Sequence, residues 1–116
     1  MSLETKVREL NTLIEQRQLL QGIETFYADD VVMAENGSET AGKEANRERE
    51  TVFVEGLTKW DAQLLASAVD EERGVALNHW QLTFHHQQWG DASFRQVAVQ
   101  QWRDGRIVRE TFYKNN

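Results

Sequence analysis

The later half of this chain is dominated by strand pattern, and its last two strands meet at Asp104-Gly105, a dipeptide that favours a two-residue hairpin turn. The segments 60–70, 75–88, 94–103 and 106–114 read as strands, and the breaks between them hold Glu72-Arg73-Gly74, Gly90-Asp91 and Asp104-Gly105. This meander predicts an antiparallel sheet of long strands. Long strands twist, so the sheet is expected to curl around whatever precedes it.

What precedes it is mainly helical. Leu3, Val7, Leu10 and Ile14 recur at steps of four, three and four, with Ser2 placed to cap the start. A second short helical pattern follows in Leu19, Leu20, Ile23, Phe26 and Tyr27, and Ala28-Asp29-Asp30 breaks it. Val31-Val32-Met33-Ala34-Glu35 reads as a short strand closed by Asn36-Gly37. A third helix, entered through Gly42, spans Lys43 to about Leu57 and sets Asn46, Glu50, Phe53 and Leu57 on one stripe. Helices followed by a strand meander predict an α+β domain with the helices on one side of the sheet. The space between the two layers is then either a filled core or a pocket.

Composition narrows the function. The 116 residues suit one domain spanning 1–116, with a core large enough to fold without cross-links. Without cysteine there is neither a thiolate nucleophile nor a cysteine-bound metal, which suits a reducing compartment. Thirteen basic against 19 acidic residues leave a formal charge of -6, which disfavours nucleic acid and anionic membrane as partners. The first residues lack a signal-peptide pattern, and no segment approaches the roughly 20 apolar residues of a membrane span. A cytoplasmic protein is expected.

Counting outward from Asp104-Gly105 pairs Arg103 with Arg106, Gln101 with Val108, Val99 with Glu110 and Val97 with Phe112. This set is the more apolar and is expected to face inward, taking Glu110 and Gln101 with it. The opposite face then carries Trp102, Ile107 and Tyr113 outside, a patch that predicts a homodimer through the outer face of the sheet.

The segment Phe26-Tyr27-Ala28-Asp29-Asp30-Val31-Val32-Met33, followed by Glu35-Asn36-Gly37 and Gly42-Lys43, resembles the opening of SnoaL-like polyketide cyclase domains. The run from Gln96 to Tyr113 resembles their last hairpin. The resemblance implies the cone-like, curved sheet of the nuclear transport factor 2-like superfamily, also described as a cystatin-like roll, wrapped around N-terminal helices with an internal pocket. It further implies carboxylate acid/base chemistry without a cofactor, in a superfamily that also contains binding modules, so the fold alone does not assign a reaction. Tyr27-Ala28-Asp29-Asp30 is similar to a segment of ketosteroid isomerases, and counting from it places Glu35 where those enzymes hold their general base. Their oxyanion hole pairs a tyrosine with a protonated aspartate. Here Val97 stands at the position resembling that aspartate, and helix one offers Asn11 but no tyrosine, so steroid isomerisation is not expected.

Glu35 and Glu110 are therefore the candidate catalytic carboxylates. Glu35 also suits a solvated rim position before a turn, and Glu110 also suits a structural pair with Arg47 or Arg95. Asn46, Glu50 and Gln101 are candidate substrate-orienting groups, with Trp80, Phe84, Phe112, Val97 and Val99 as apolar wall. Asn46 and Glu50 equally suit bracing their helix. His85 and His86 are adjacent on a strand and point to opposite faces, so together with His79 they predict no metal site. Neither a Ser/His/Asp elbow nor a glycine-rich phosphate loop is present. Two readings follow: a cofactor-independent isomerase, cyclase or hydrolase for a small, largely apolar molecule, or a binding or interaction module of the same fold.

Overall fold

The computed structural model describes residues 2–115. Its elements run α1 (Leu3–Glu15), α2 (Leu19–Phe26), β1 (Tyr27–Glu35), β2 (Ser38–Ala41), α3 (Lys43–Gly56), β3 (Leu57–Asp70), β4 (Val75–His86), β5 (Gly90–Arg103) and β6 (Arg106–Lys114). α1 starts as its sequence predicts, with Ser2 Oγ accepting from the Thr5 amide at 3.2 Å. The same end is also capped from a distance, because the Glu71 carboxylate accepts from the Leu3 and Glu4 amides at 3.0 and 2.9 Å. Val7 and Leu10 turn inward and join Ile23, Phe26, Val31, Trp102 and Ile107 in the main core. Among the described residues, no helix is long and apolar enough to cross a membrane.

The six strands form one curved sheet in the order β2-β1-β6-β5-β4-β3. All neighbours are antiparallel except β1 and β6, which run parallel. The meander β3–β6 is antiparallel as expected, and β1 joins it through a parallel contact with β6. A parallel pair needs a long crossover, and here α3 with β3–β5 supplies it. β2 is a further addition: Asn36 and Gly37 take φ of 53° and 79°, the left-handed pair that a tight hairpin requires, and the chain folds back as Ser38–Ala41.

Asp104 and Gly105 make the expected two-residue turn, both with positive φ, and Arg103 does pair with Arg106. One step further the count fails. Trp102 pairs with Ile107 but Gln101 pairs with Arg109, so Val108 is the extra residue of a bulge. Beyond it Gln100 faces Glu110, and Ala98 faces Phe112. An inserted residue inverts the partner relation, so β5 shows the cavity its other face. Trp102 and Ile107 are 8% and 0% exposed and belong to the core, not to an outer patch, while Val97, Val99 and Gln101 lie on the outer face.

Candidate functional site

A cavity of about 550 Å³ opens between α3, β1 and the inner face of β4–β6, lined by Met33, Glu35, Arg49, Glu50, Phe53, Trp60, Phe84, Phe94 and Phe112 among others. Its wall is largely aromatic. Phe53 meets Phe84 edge-on at 5.1 Å and Trp60 at 6.2 Å, and Phe84 meets Phe94 at 6.0 Å. Trp89, 60% exposed, lies at the mouth, stacked on His86 at 3.8 Å. Lys114 reaches over Phe94, its Nζ 4.8 Å from the ring centre.

A deeper chamber of about 110 Å³ shares Met33, Glu50, Leu82, Gln96 and Phe112 with the outer cavity. Leu10, Ile14, Leu19, Ile23 and Trp80 supply its apolar sides, while Tyr27, Gln100 and Glu110 form its polar end. Glu110 is 2% exposed. Its two oxygens are both occupied: the Tyr27 hydroxyl donates to Oε1, and Gln100 Nε2 donates to Oε2 at 2.7 Å. Burial pushes its carboxyl above the ordinary range, while the two donors and the Arg49 charge hold it down. The Tyr27 phenol is driven well above its usual value by burial first, then by the charge and hydrogen bond of Glu110.

Glu50 lies where the two chambers meet, one and two turns ahead of Phe53 and Gly56 on α3. Among the described residues it has neither a side-chain hydrogen bond nor a salt bridge. Burial raises its carboxyl to about 7; Glu110 and Glu35 push the same way and Arg49 opposes. Glu35 closes β1 and lines the outer cavity but not the deeper chamber.

The structure thus brings Glu35, Glu50, Glu110, Trp80, Phe84 and Phe112 to the two chambers. Others lie elsewhere. Asn46 is fully buried, but its Nδ2 donates to the Thr40 and Gly42 carbonyls at 3.0 and 2.8 Å, which pins α3 to β2. Gln101, Val97 and Val99 are outside because of the β6 bulge. Arg47 pairs with Glu24 and Glu44, and Arg95 bonds Gln81, so neither touches Glu110. His85 bonds Asp91 at 2.7 Å. His86 is buried, its Nδ1 accepting from the Gln88 amide at 3.1 Å, while among the described residues Nε2 has no partner. Among the described residues, no group of three or more His, Asp or Glu is placed to hold a metal.

Tyr27, Arg49, Trp89, Gln96 and Gln100 line the two chambers and are not singled out by the sequence as candidates. Tyr27 lies in the segment carrying the family resemblance, which is a usable signal. Gln96 and Gln100 have none, because their facing depends on the bulge.

The three-helix, curved-sheet architecture defines a nuclear transport factor 2-like fold, and solved structures agree. A candidate SnoaL-like polyketide cyclase from Mesorhizobium loti superposes with a TM-score of 0.82 at 18% identity, covering 97% of this chain and 99% of its own. An NTF2-like protein of unknown function from Burkholderia pseudomallei gives 0.81 at 15% identity, covering 99% and 92%. A candidate polyketide cyclase from Pseudomonas putida gives 0.82 at 13% identity, covering 99% and 92%. No curated protein matches the sequence. The model of the SnoaL-like domain matches residues 7–110, and the chain belongs to that family.

Proposed function

We propose that this chain is a cofactor-independent acid/base enzyme, an isomerase, cyclase or related hydrolase, acting on a small and largely apolar compound, with Glu50 as the group that moves the proton. One observation carries the reading: an unpartnered carboxylate stands between two apolar chambers, and burial brings its proton affinity close to neutrality. Ionised Glu50 takes a proton from a carbon next to a substrate carbonyl, and the electron pair stays on the substrate as an enolate. The resulting carboxylic acid returns the proton to another atom, so nothing else is consumed. The aromatic wall holds the apolar body, and Arg49 is the cation placed to favour developing negative charge. Glu35 is a second carboxylate at the rim of the same cavity.

Deuterium exchange tests this whatever the final product is. The protein is incubated in D2O with a panel of small aromatic and alicyclic ketones, and label uptake is followed by mass spectrometry. Exchange that Glu50→Gln slows by about 10²–10⁴-fold supports the reading, whereas the same rate in that variant would sink it.

Binding without chemistry is favoured by a different observation. The Tyr27 hydroxyl donates to Glu110 and is not free to donate to a bound carbonyl. That reading predicts saturable calorimetric binding of panel compounds with no label uptake.

A homodimer through the outer face of the sheet also belongs to this proposal, carried by Leu77 and Tyr113 in place of the buried Trp102 and Ile107. Leu77 and Tyr113 are 43% and 62% exposed there, and pairing aligns Leu77 with Val99 and Val97 with Tyr113. Light scattering after chromatography should give a dimer mass for the native chain and a monomer mass for Leu77→Glu. A native monomer would remove the dimer.

A further inference from the structure

Behind Glu110, the buried side chains of Asn11, Asn78 and Gln100 form a polar row that ends at the exposed Ser67. Ser67 Oγ and Asn11 Nδ2 both donate to Asn78 Oδ1, at 2.7 and 2.9 Å. Asn78 Nδ2 points to Gln100 Oε1 at 3.4 Å, and the Trp102 indole donates to that same oxygen at 3.0 Å. Gln100 Nε2 then donates to Glu110 Oε2. The hydroxyl and the asparagines can exchange donor and acceptor roles, but an indole N–H only donates. Turning the Gln100 amide over would set its NH2 against the indole and its carbonyl against the Glu110 carboxylate.

We propose that Gln100, held in one orientation by the Trp102 indole, is a positioning residue that keeps Glu110 the charged member of the carboxylate pair and leaves the exchangeable proton on Glu50. This rests on the reading of Glu50 as the proton carrier. The groups facing the pair agree with it. From β1, Tyr27 donates to the other oxygen of Glu110, and Glu35 adds negative charge near Glu50. From α3, Arg49 is the cation acting on both carboxylates. α1 and α2 present only Leu10, Ile14, Leu19 and Ile23 to the chamber, and β4 only Trp80 and Leu82. Two donors on one carboxylate and none on the other decide which ionises first, and the charge on the first then repels charge on the second.

The test needs no substrate. Carboxyl carbons are titrated by NMR in ¹³C-labelled native protein, with Glu50→Gln and Glu110→Gln identifying the two signals. Glu110 should titrate at lower pH than Glu50. In Trp102→Phe and Gln100→Leu the Glu110 midpoint should rise and the Glu50 midpoint fall, each by about one pH unit. Glu110 titrating above Glu50 in the native protein would overturn the proposal, and so would unmoved midpoints in folded Trp102→Phe. If neither variant folds, the native order decides. A failure of the enzyme reading is separable, since unchanged isotope exchange in Glu50→Gln leaves this ordering intact.

Discussion

Gln100 lies directly across from Glu110 on neighbouring strands, and the two side chains meet in a 2.7 Å hydrogen bond inside the protein. The second oxygen of Glu110 depends on Tyr27 alone. Tyr27→Phe keeps the ring and removes that donor, which leaves a buried carboxylate oxygen unpaired. The expected loss is about 1–3 kcal/mol of folding stability, read from the urea midpoint at pH 7. The deficit should shrink at pH 4, where a Glu110 freed from its donor is protonated more readily. A deficit that is the same at both pH values would mean that the hydroxyl does not stabilise the charged form of Glu110.

Glu50 gives a pH dependence of defined sign. Its carboxyl moves from 4.5 to about 7 on folding, so the folded chain holds this proton more tightly than the unfolded chain does. Its contribution is fully present below about pH 4.5 and is lost as pH rises through about 7. At about 1.4 kcal/mol per pH unit, the loss is at most about 3–4 kcal/mol. Glu50→Gln should therefore be more stable than the native protein at pH 8, with the advantage gone by pH 4. Catalysis by the ionised base runs the other way and rises with pH through the same interval. Parallel urea titrations of the two proteins at several pH values check the stability half, and a native advantage at pH 8 would contradict it.

Asn46 separates bracing from chemistry on the same helix stripe. Its amide holds two carbonyls, Thr40 and Gly42, and is fully buried. Asn46→Ala should cost about 1–3 kcal/mol while leaving the rate of isotope exchange by the folded fraction within about twofold, an expectation that treats the residue as outside the site. A selective loss of exchange without loss of stability would return Asn46 to the site.

The helical stripes, the strand runs and the Asp104-Gly105 turn were legible because each rests on local periodicity or backbone preference. β2 was not, since Ser38-Glu39-Thr40-Ala41 is short, polar and on the sheet edge. Nor was the parallel contact of β1 with β6, which joins residues about 80 positions apart and leaves no local mark. The parity of β5 failed for a sharper reason. One bulged residue, Val108, reverses the partner of every position beyond it, and nothing in Arg106-Ile107-Val108-Arg109 announces which residue is extra. That single uncertainty moved Trp102 from surface to core and exchanged Gln101 for Gln100 beside Glu110. Glu110 and Phe112 kept their inward facing because both lie beyond the bulge, where alternation along β6 is unbroken, and the apolar content of their set marks it as the inner one.

Gly56 has a packing role that its place at the end of α3 does not reveal. A Cβ there would lie 2.2 Å from both Cε1 and Nε2 of His86, a ring that is buried and stacked on Trp89, with Phe53 beside the pair. No rotamer change can relieve such a clash cheaply, because the imidazole is buried, stacked on Trp89 and held at Nδ1, which accepts from the Gln88 amide. Gly56→Ala should therefore destabilise by about 1–3 kcal/mol, the usual range for overpacking, although alanine is the better helix former. Adding His86→Ala removes the obstructing ring, and the double variant should be more stable than the sum of the two single losses predicts. Urea midpoints of all four proteins give this coupling directly. Strict additivity would show that the ring can move aside, and that the stack of Phe53, His86 and Trp89 at the cavity mouth is looser than its geometry indicates.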